Sequence, residues 1–339
     1  MISVTFILFF FTFQSAFAFK IAVVGATGYI GRQVVKELVD RGISTTSLVR
    51  SYEMPDITKR CLDGSNMQLC DILNPDAVND ALSDEEITAV IVCLASRSGI
   101  PRDAWLVDFE GGKNVINALE NNAKITKTNK HYVLLSAFCV GKPLLQFQFA
   151  KLKLEDILQS SPHISHSIVR PTAFFKSLDG QIESVQKGNP ILYFGDGTCS
   201  ANAISETDLA AYLADCAIDP KKVNMYNQCR NIGGPDVPPI TKYQQAELIY
   251  NTLNIPHNKR KYVSIPLGVL DVLISGFALL ELGFRSVGLK GQQMKMEDAA
   301  EIVRIIRYVY YVVYCIVYIF CVYTYSEYVY IYVYIWCIF

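Results

Sequence analysis

Phe147 and Lys151 stand four residues apart in a stretch that reads as helix, so their side chains share one face. A lysine at such a place can bond a sugar hydroxyl and supply positive charge beside a reacting centre. A tyrosine one turn before it would complete a carbonyl-reducing pair, because a phenol donates a proton to a developing alkoxide. The phenyl ring of Phe147 cannot do this. If the chain is an enzyme, reduction of a carbon–carbon double bond is therefore favoured over reduction of a carbonyl. Ser136, eleven positions before Phe147, ends an apolar run and joins Lys151 as a candidate catalytic residue, able to bond substrate or a ribose. Each has a plainer reading, as a satisfied strand end for Ser136 and, beside Lys153, as a solvated helix lysine for Lys151.

The surrounding elements decide between these readings. Lys20 to Val24 is a short apolar strand, and Gly25, Ala26, Thr27, Gly28, Tyr29, Ile30 and Gly31 follow it directly. Apolar residues at Ile30, Val34, Val35, Leu38 and Val39 then form a helical stripe that stops at Gly42. Strand, glycine turn and amphipathic helix in this order bind a dinucleotide, with the helix N-terminus facing the pyrophosphate. Gly25, Thr27, Gly28, Tyr29, Ile30 and Gly31 are accordingly candidate cofactor-binding residues. Arg50 ends the second strand, where a base serves the 2′-phosphate of NADPH, although a solvated arginine would look the same. Asp71, after the third strand, either faces the adenine or caps a turn. Leu94, Ala95 and Ser96 stand at the end of the fourth strand and leave room for a ribose. Arg97 beside them either anchors a substrate carboxylate or makes a rim salt bridge.

Further strands are expected at Thr45 to Val49, Met67 to Leu69, Ala89 to Leu94, His131 to Leu135 and Ser165 to Val169. Helical patterns at Pro75 to Leu82, Trp105 to Glu120 and Phe147 to Leu158 separate most of them. This alternation implies an α/β fold, a Rossmann-type doubly wound parallel sheet. After Arg170 it lapses, and Gly/Pro-rich stretches point to a smaller substrate lobe. The expected division is a dinucleotide-binding domain over 20–170 and a lobe over 171–307. Phe147, Phe149, Phe174, Phe175, Tyr193 and Phe194 could line a flat aromatic pocket, though most such residues are core. Phe147, Phe174 and Phe175, with Arg97, are the ones placed at substrate.

With 339 residues, 51% hydrophobic content and a net charge of -1, the chain can bury one large core with a smaller lobe. The absence of basic runs argues against a nucleic-acid partner. Ten scattered cysteines without a Cys-x-x-Cys spacing read as reduced, buried thiols, and no metal site is expected. Residues 1–18, an apolar run ending in Ser15-Ala16-Phe17-Ala18, read as a signal or targeting segment too short to span a membrane. Residues 308–339 are low complexity. The eighteen uncharged residues from Tyr308 to Tyr325 have the length of a membrane anchor, yet their Tyr-Val-Tyr-Ile alternation also fits translation of TA-rich noncoding DNA.

These blocks together resemble the plant and algal NADPH-dependent divinyl chlorophyllide 8-vinyl-reductases, atypical short-chain reductases related to the isoflavone-reductase and NmrA-like group. The resemblance is carried by Gly25 to Arg32, Cys93 to Arg97, Leu134 to Ala137, Lys142 to Gln148 with Ala150 to Lys153, Ile168 to Leu178, Gly180 to Val185 and Phe194 to Gly197. Ile204 to Ala211 and Asn231 to Pro235 extend it over roughly Lys20 to Arg307, after which the family's C-terminal segment does not appear. It implies NADPH as cofactor, with Lys151 and Pro171 at the cofactor. The substrate it implies is divinyl chlorophyllide or protochlorophyllide, whose 8-vinyl group is reduced to ethyl. It also implies a plastid location and contact with thylakoid or envelope membrane. Ser15-Ala16-Phe17-Ala18 resembles the junction of bipartite plastid presequences in algae with complex plastids; an ordinary secretory signal or a misplaced start codon are the alternatives. A non-catalytic NADP(H)-responsive binding protein and an isoflavone-reductase-like small-molecule reductase are the competing functions. Oligomeric state is not legible.

Overall fold

The computed structural model describes residues 19–96, 100–198, 200–236, 238–286, 294–300, 303–304, 321–325 and 328–332. Arg97, residues 1–18, which the sequence suggests as a targeting segment, and most of residues 308–339 lie outside these described residues.

Seven parallel strands form the central sheet in the order β3-β2-β1-β4-β5-β6-β9. They are β1 (Lys20–Val24), β2 (Ser44–Val49), β3 (Asn66–Leu69), β4 (Ile87–Val92), β5 (Lys130–Leu135), β6 (Ile164–Pro171) and β9 (Gln228–Ile232). The central strands are near-continuous apolar runs because helices cover both faces of a parallel sheet. Along β1, Ile21 and Val23 enter one core, which contains α1 (Tyr29–Asp40) and α8 (Glu206–Ile218). Ala22 and Val24 enter the other, with α3 (Pro75–Ala81) and α5 (Gly112–Thr126). The two-residue period of a strand makes that division. A short α2 (Asp56–Leu62) joins β2 to β3.

Between β4 and β5 the chain passes through a turn, α4 (Pro101–Asp103), then a π-helical segment, Ala104–Gly111, before α5. A π segment inside an α-helix is uncommon and often marks a functional place. α6 (Gln146–Gln159) follows β5, and its start is closed by Gln148, whose Oε1 accepts the backbone N–H groups of Leu144 and Leu145.

The expected boundary at residue 170 does not divide the molecule. Bridging of Phe174 to Ile204 sends the chain back, α8 packs its buried Leu209, Ala210, Leu213 and Ala214 in the α1 core, and β9 adds the last strand beside β6. The later elements include α7 (Asp179–Gln186), β7 (Ile191–Phe194), β8 (Ser200–Ala201), β10 (Ile240–Thr241), α9 (Lys242–Thr252), β11 (Tyr262–Ile265) and α10 (Leu267–Ser286). β7 pairs with β11 and β8 with β10, and a small separate core forms from Val185, Ile191, Ala246, Ile249 and Tyr250. The lobe is thus an interleaved excursion, because the sheet needs α8 and β9 to cover its face and edge.

In the tail, β12 (Cys321–Tyr325) pairs antiparallel with β13 (Tyr328–Tyr332). Among the described residues no helix is long and apolar enough to cross a membrane. The thiols of Cys61, Cys70, Cys93, Cys139 and Cys216 are buried, while Cys229, on β9, is exposed.

Candidate functional site

The sheet order reverses between β1 and β4, and an open α/β sheet binds its ligand at such a reversal. The glycine turn sits there. Gly25 has φ +77°, and a Cβ on it would lie 2.6 Å from the Cys93 carbonyl oxygen at the end of β4. A Cβ on Gly31 would lie 2.1 Å from the Gly25 carbonyl oxygen, so α1 packs on the turn at backbone contact. Gly28 N–H closes the turn onto Gly25 O at 2.9 Å. Gly28 also caps α1 with no side chain, and no carboxylate stands in the first turn. The helix end therefore presents backbone N–H groups and its positive dipole to an anion. These residues fit a dinucleotide pyrophosphate, which needs that close approach of bare backbone.

Lys151 is buried on α6, with a side chain 3% exposed, and its ammonium pairs with Asp108 of the π-helical segment at 2.9 Å. It also donates to the Leu94 carbonyl oxygen at 3.2 Å. The second oxygen of Asp108 accepts the Ser96 N–H at 3.1 Å. Of the residues expected at the cofactor, Leu94 is thereby tied to Lys151 directly and Ser96 through the Asp108 carboxylate. Burial pushes the Cys93 thiol up to about 12, with the Lys151 ammonium pulling the other way. A buried ammonium without a counterion would be strongly disfavoured, so Asp108 accounts for Lys151 being inside at all.

Ser136 directly follows β5 and donates its hydroxyl proton to Glu155, whose carboxylate is gripped by Arg170 through Nε at 3.1 Å and through the Nη2 donor. Phe147, Lys151 and Glu155 are all buried on one face of α6, at successive turns. The hydroxyl of Ser136 is thus already committed as a donor and has only acceptor capacity left for a ligand.

The remaining candidates divide. Arg50 is exposed beyond the end of β2, as a phosphate-reading base requires. Asp71 takes the turn-capping alternative, its Oδ1 accepting the Leu73 N–H at 3.0 Å. Pro171 is buried at the end of β6. Two of the three phenylalanines placed at substrate are core side chains instead. Phe147 is sealed on α6, and Phe174 lies in the α1 core with its ring 6.0 Å from that of Tyr29. The β-bridge to Ile204 is what turns Phe174 inward. Phe175 next to it is 38% exposed. Burial, then a hydrogen bond to Glu206, pushes the Tyr29 phenol far above its usual range. The Tyr29 side chain is therefore engaged with Glu206.

Asp108 and Glu155 are absent from the sequence-based candidates. Both carried a signal, since Asp108 continues the buried stripe of Ala104, Val115 and Leu119, and Glu155 is one turn beyond Lys151. An acid on an apolar stripe needs a buried partner.

The NAD(P)H-binding family matches residues 25–220. The chain is 39% identical over 283 residues to the chloroplastic divinyl chlorophyllide a 8-vinyl-reductase of Arabidopsis thaliana, covering 79% of this chain and 65% of that one. To the Zea mays protein of the same name it is 38% identical over 300 residues, covering 84% of this chain and 69% of the relative. The chain thus spans about two thirds of the length of these relatives. In three dimensions it is similar to an isoflavone reductase crystal structure, with TM-score 0.58 and 17% identity over 76% of this chain and 81% of the other, a likeness of fold.

Proposed function

This chain belongs to the divinyl chlorophyllide a 8-vinyl-reductase family and carries its NAD(P)H-binding domain, and from that premise we propose that it reduces the 8-vinyl group of a divinyl tetrapyrrole to ethyl in the plastid. The proposed cofactor is NADPH, which supplies the hydride when bound. Divinyl chlorophyllide and its protochlorophyllide counterpart are the proposed substrates, Lys151, Ser136 and Arg97 the proposed site residues, and the exposed Phe175 a proposed substrate contact.

One observation carries this reading beyond the family resemblance. A carbonyl reductase needs a proton donor aimed at the substrate oxygen, and both places where one would stand are closed to that role. Phe147 has no hydroxyl, and the hydroxyl of Ser136 is spent on Glu155. Hydride arriving at the terminal carbon of a vinyl group leaves negative charge that spreads into the conjugated macrocycle, so no oxygen has to be protonated. Lys151 contributes a fixed positive charge near the reacting centre. The proton that completes the ethyl group reaches carbon from water or a neighbouring group. Arg50, exposed just past β2, is the proposed reader of the 2′-phosphate, a reading that favours NADPH over NADH.

The test incubates the full chain with divinyl chlorophyllide and either dinucleotide, following the monovinyl product by chromatography. Turnover with NADPH and little with NADH is expected. A folded protein that binds NADPH and leaves both divinyl chlorophyllide and divinyl protochlorophyllide unchanged would sink the proposal in favour of a binding protein.

A further inference from the structure

We infer that Asp108 positions Lys151 and the exit of β4 for the nicotinamide half of the dinucleotide, an inference that rests on the NAD(P)H-binding reading of this site. A lysine is a poor fixed point, because a charge on a four-carbon stem has many rotamers. Here that freedom is removed by one carboxylate with two assignments. One oxygen of Asp108 holds the Lys151 ammonium at 2.9 Å, and the other holds the Ser96 N–H at 3.1 Å. The ammonium in turn reaches the Leu94 carbonyl at 3.2 Å. The strand exit and α6 are locked together, with the charge between them.

The helix that carries Asp108 comes close to α6 at this level. The segment Ala104–Gly111 is π-helical, and it hands over to the regular α5 at Gly112. A Cβ on Gly112 would lie 2.4 Å from Leu154 on α6, so the two helices meet there at close range. Asp108, one turn before, faces Lys151, one turn before Leu154. The bare glycine lets the carboxylate reach the ammonium without a longer side chain.

The position also says which half of the cofactor is concerned. A dinucleotide lies across the sheet reversal, its adenosine half toward β2 and its nicotinamide half toward β4 and β5. Arg50 belongs to the first side; Asp108, Lys151 and Ser96 belong to the second. A purely structural ion pair would make no such distinction.

The experiment measures binding of three probes to the full chain and its Asp108→Asn variant by fluorescence or calorimetry: NADPH, reduced nicotinamide mononucleotide and 2′,5′-ADP. Asparagine keeps the volume but offers one acceptor oxygen where two are needed. The expected result is NADPH and the mononucleotide weakened at least about tenfold, with 2′,5′-ADP within about twofold of the parent. Should Asp108→Asn fail to fold, Asp108→Glu keeps the charge and displaces it by one methylene, and the same pattern is expected. Equal loss of all three probes by a folded variant, or loss of none, overturns the inference. No tetrapyrrole is involved, so absence of vinyl reduction by the parent would leave this comparison intact.

Discussion

At the scale of residues, the site is organised by two buried carboxylates, each with a different duty. Glu155 holds Ser136 and Arg170, while Asp108 holds Lys151 and a backbone N–H. Removing one member of a buried pair leaves the other charge stranded, at a cost of about 3–5 kcal/mol, whereas an apolar pair of similar volume is tolerated. Asp108→Ala and Lys151→Ala should each lower stability in urea denaturation by that order. The double change Asp108→Leu with Lys151→Met should cost less than either single change and still fail to restore NADPH affinity. Additive losses in the double variant would show that the pair is not an isolated electrostatic unit.

At the scale of elements, the glycine turn works by contact of backbone with backbone. Gly31→Ala puts a methyl 2.1 Å from the Gly25 carbonyl oxygen, a clash that only movement of α1 can relieve. NADPH binding should weaken by at least about tenfold, on the reasoning that the helix N-terminus is the anion site; an unchanged titration would mean the turn is not where the phosphates sit. The pairing of β5 with β6 brings a second test. His131 on β5 is held between Ser165 and Ser167 on β6, each at 2.8 Å, and burial pulls its imidazole down to about 4. Between an unfolded value near 6.5 and that folded value, the unfolded chain binds the extra proton. Stability therefore falls as pH drops through this window and is level above it, a loss of about 3 kcal/mol once pH is below 4. Urea midpoints from pH 7.5 to 4 should show this slope, and His131→Asn should make it shallower, burial of His166 contributing in the same direction.

At the scale of the whole molecule, the interleaving of the lobe with the sheet has a folding consequence. A fragment of residues 19–170 would leave β6 as a bare edge and uncover the α1 face that Leu209 and Leu213 bury. Each such leucine contributes about 2 kcal/mol, against a total stability of roughly 5–15 kcal/mol for a domain. That fragment should be aggregated or molten in circular dichroism and should not bind NADPH. A soluble fragment with native-like affinity would show that the division at residue 170 is a true domain boundary after all.

Much of this was legible before folding. The strand at Lys20–Val24, the turn and the helix after it follow from local rules, since glycine freedom and apolar periodicity act within a few residues. Phe147 one turn before Lys151 was equally plain, and so was the consequence that a phenol is missing. What sequence spacing could not supply were pairings between residues far apart in the chain. Asp108 lies 43 positions before Lys151, and Ser136 meets Glu155 across the gap between a strand and a helix. Nor could it show that α8 and β9 return to the first sheet, or that Phe174 turns inward while Phe175 does not. Periodicity says which face of an element is apolar, and only the packed fold decides which neighbour that face meets and which buried charge finds its counterion.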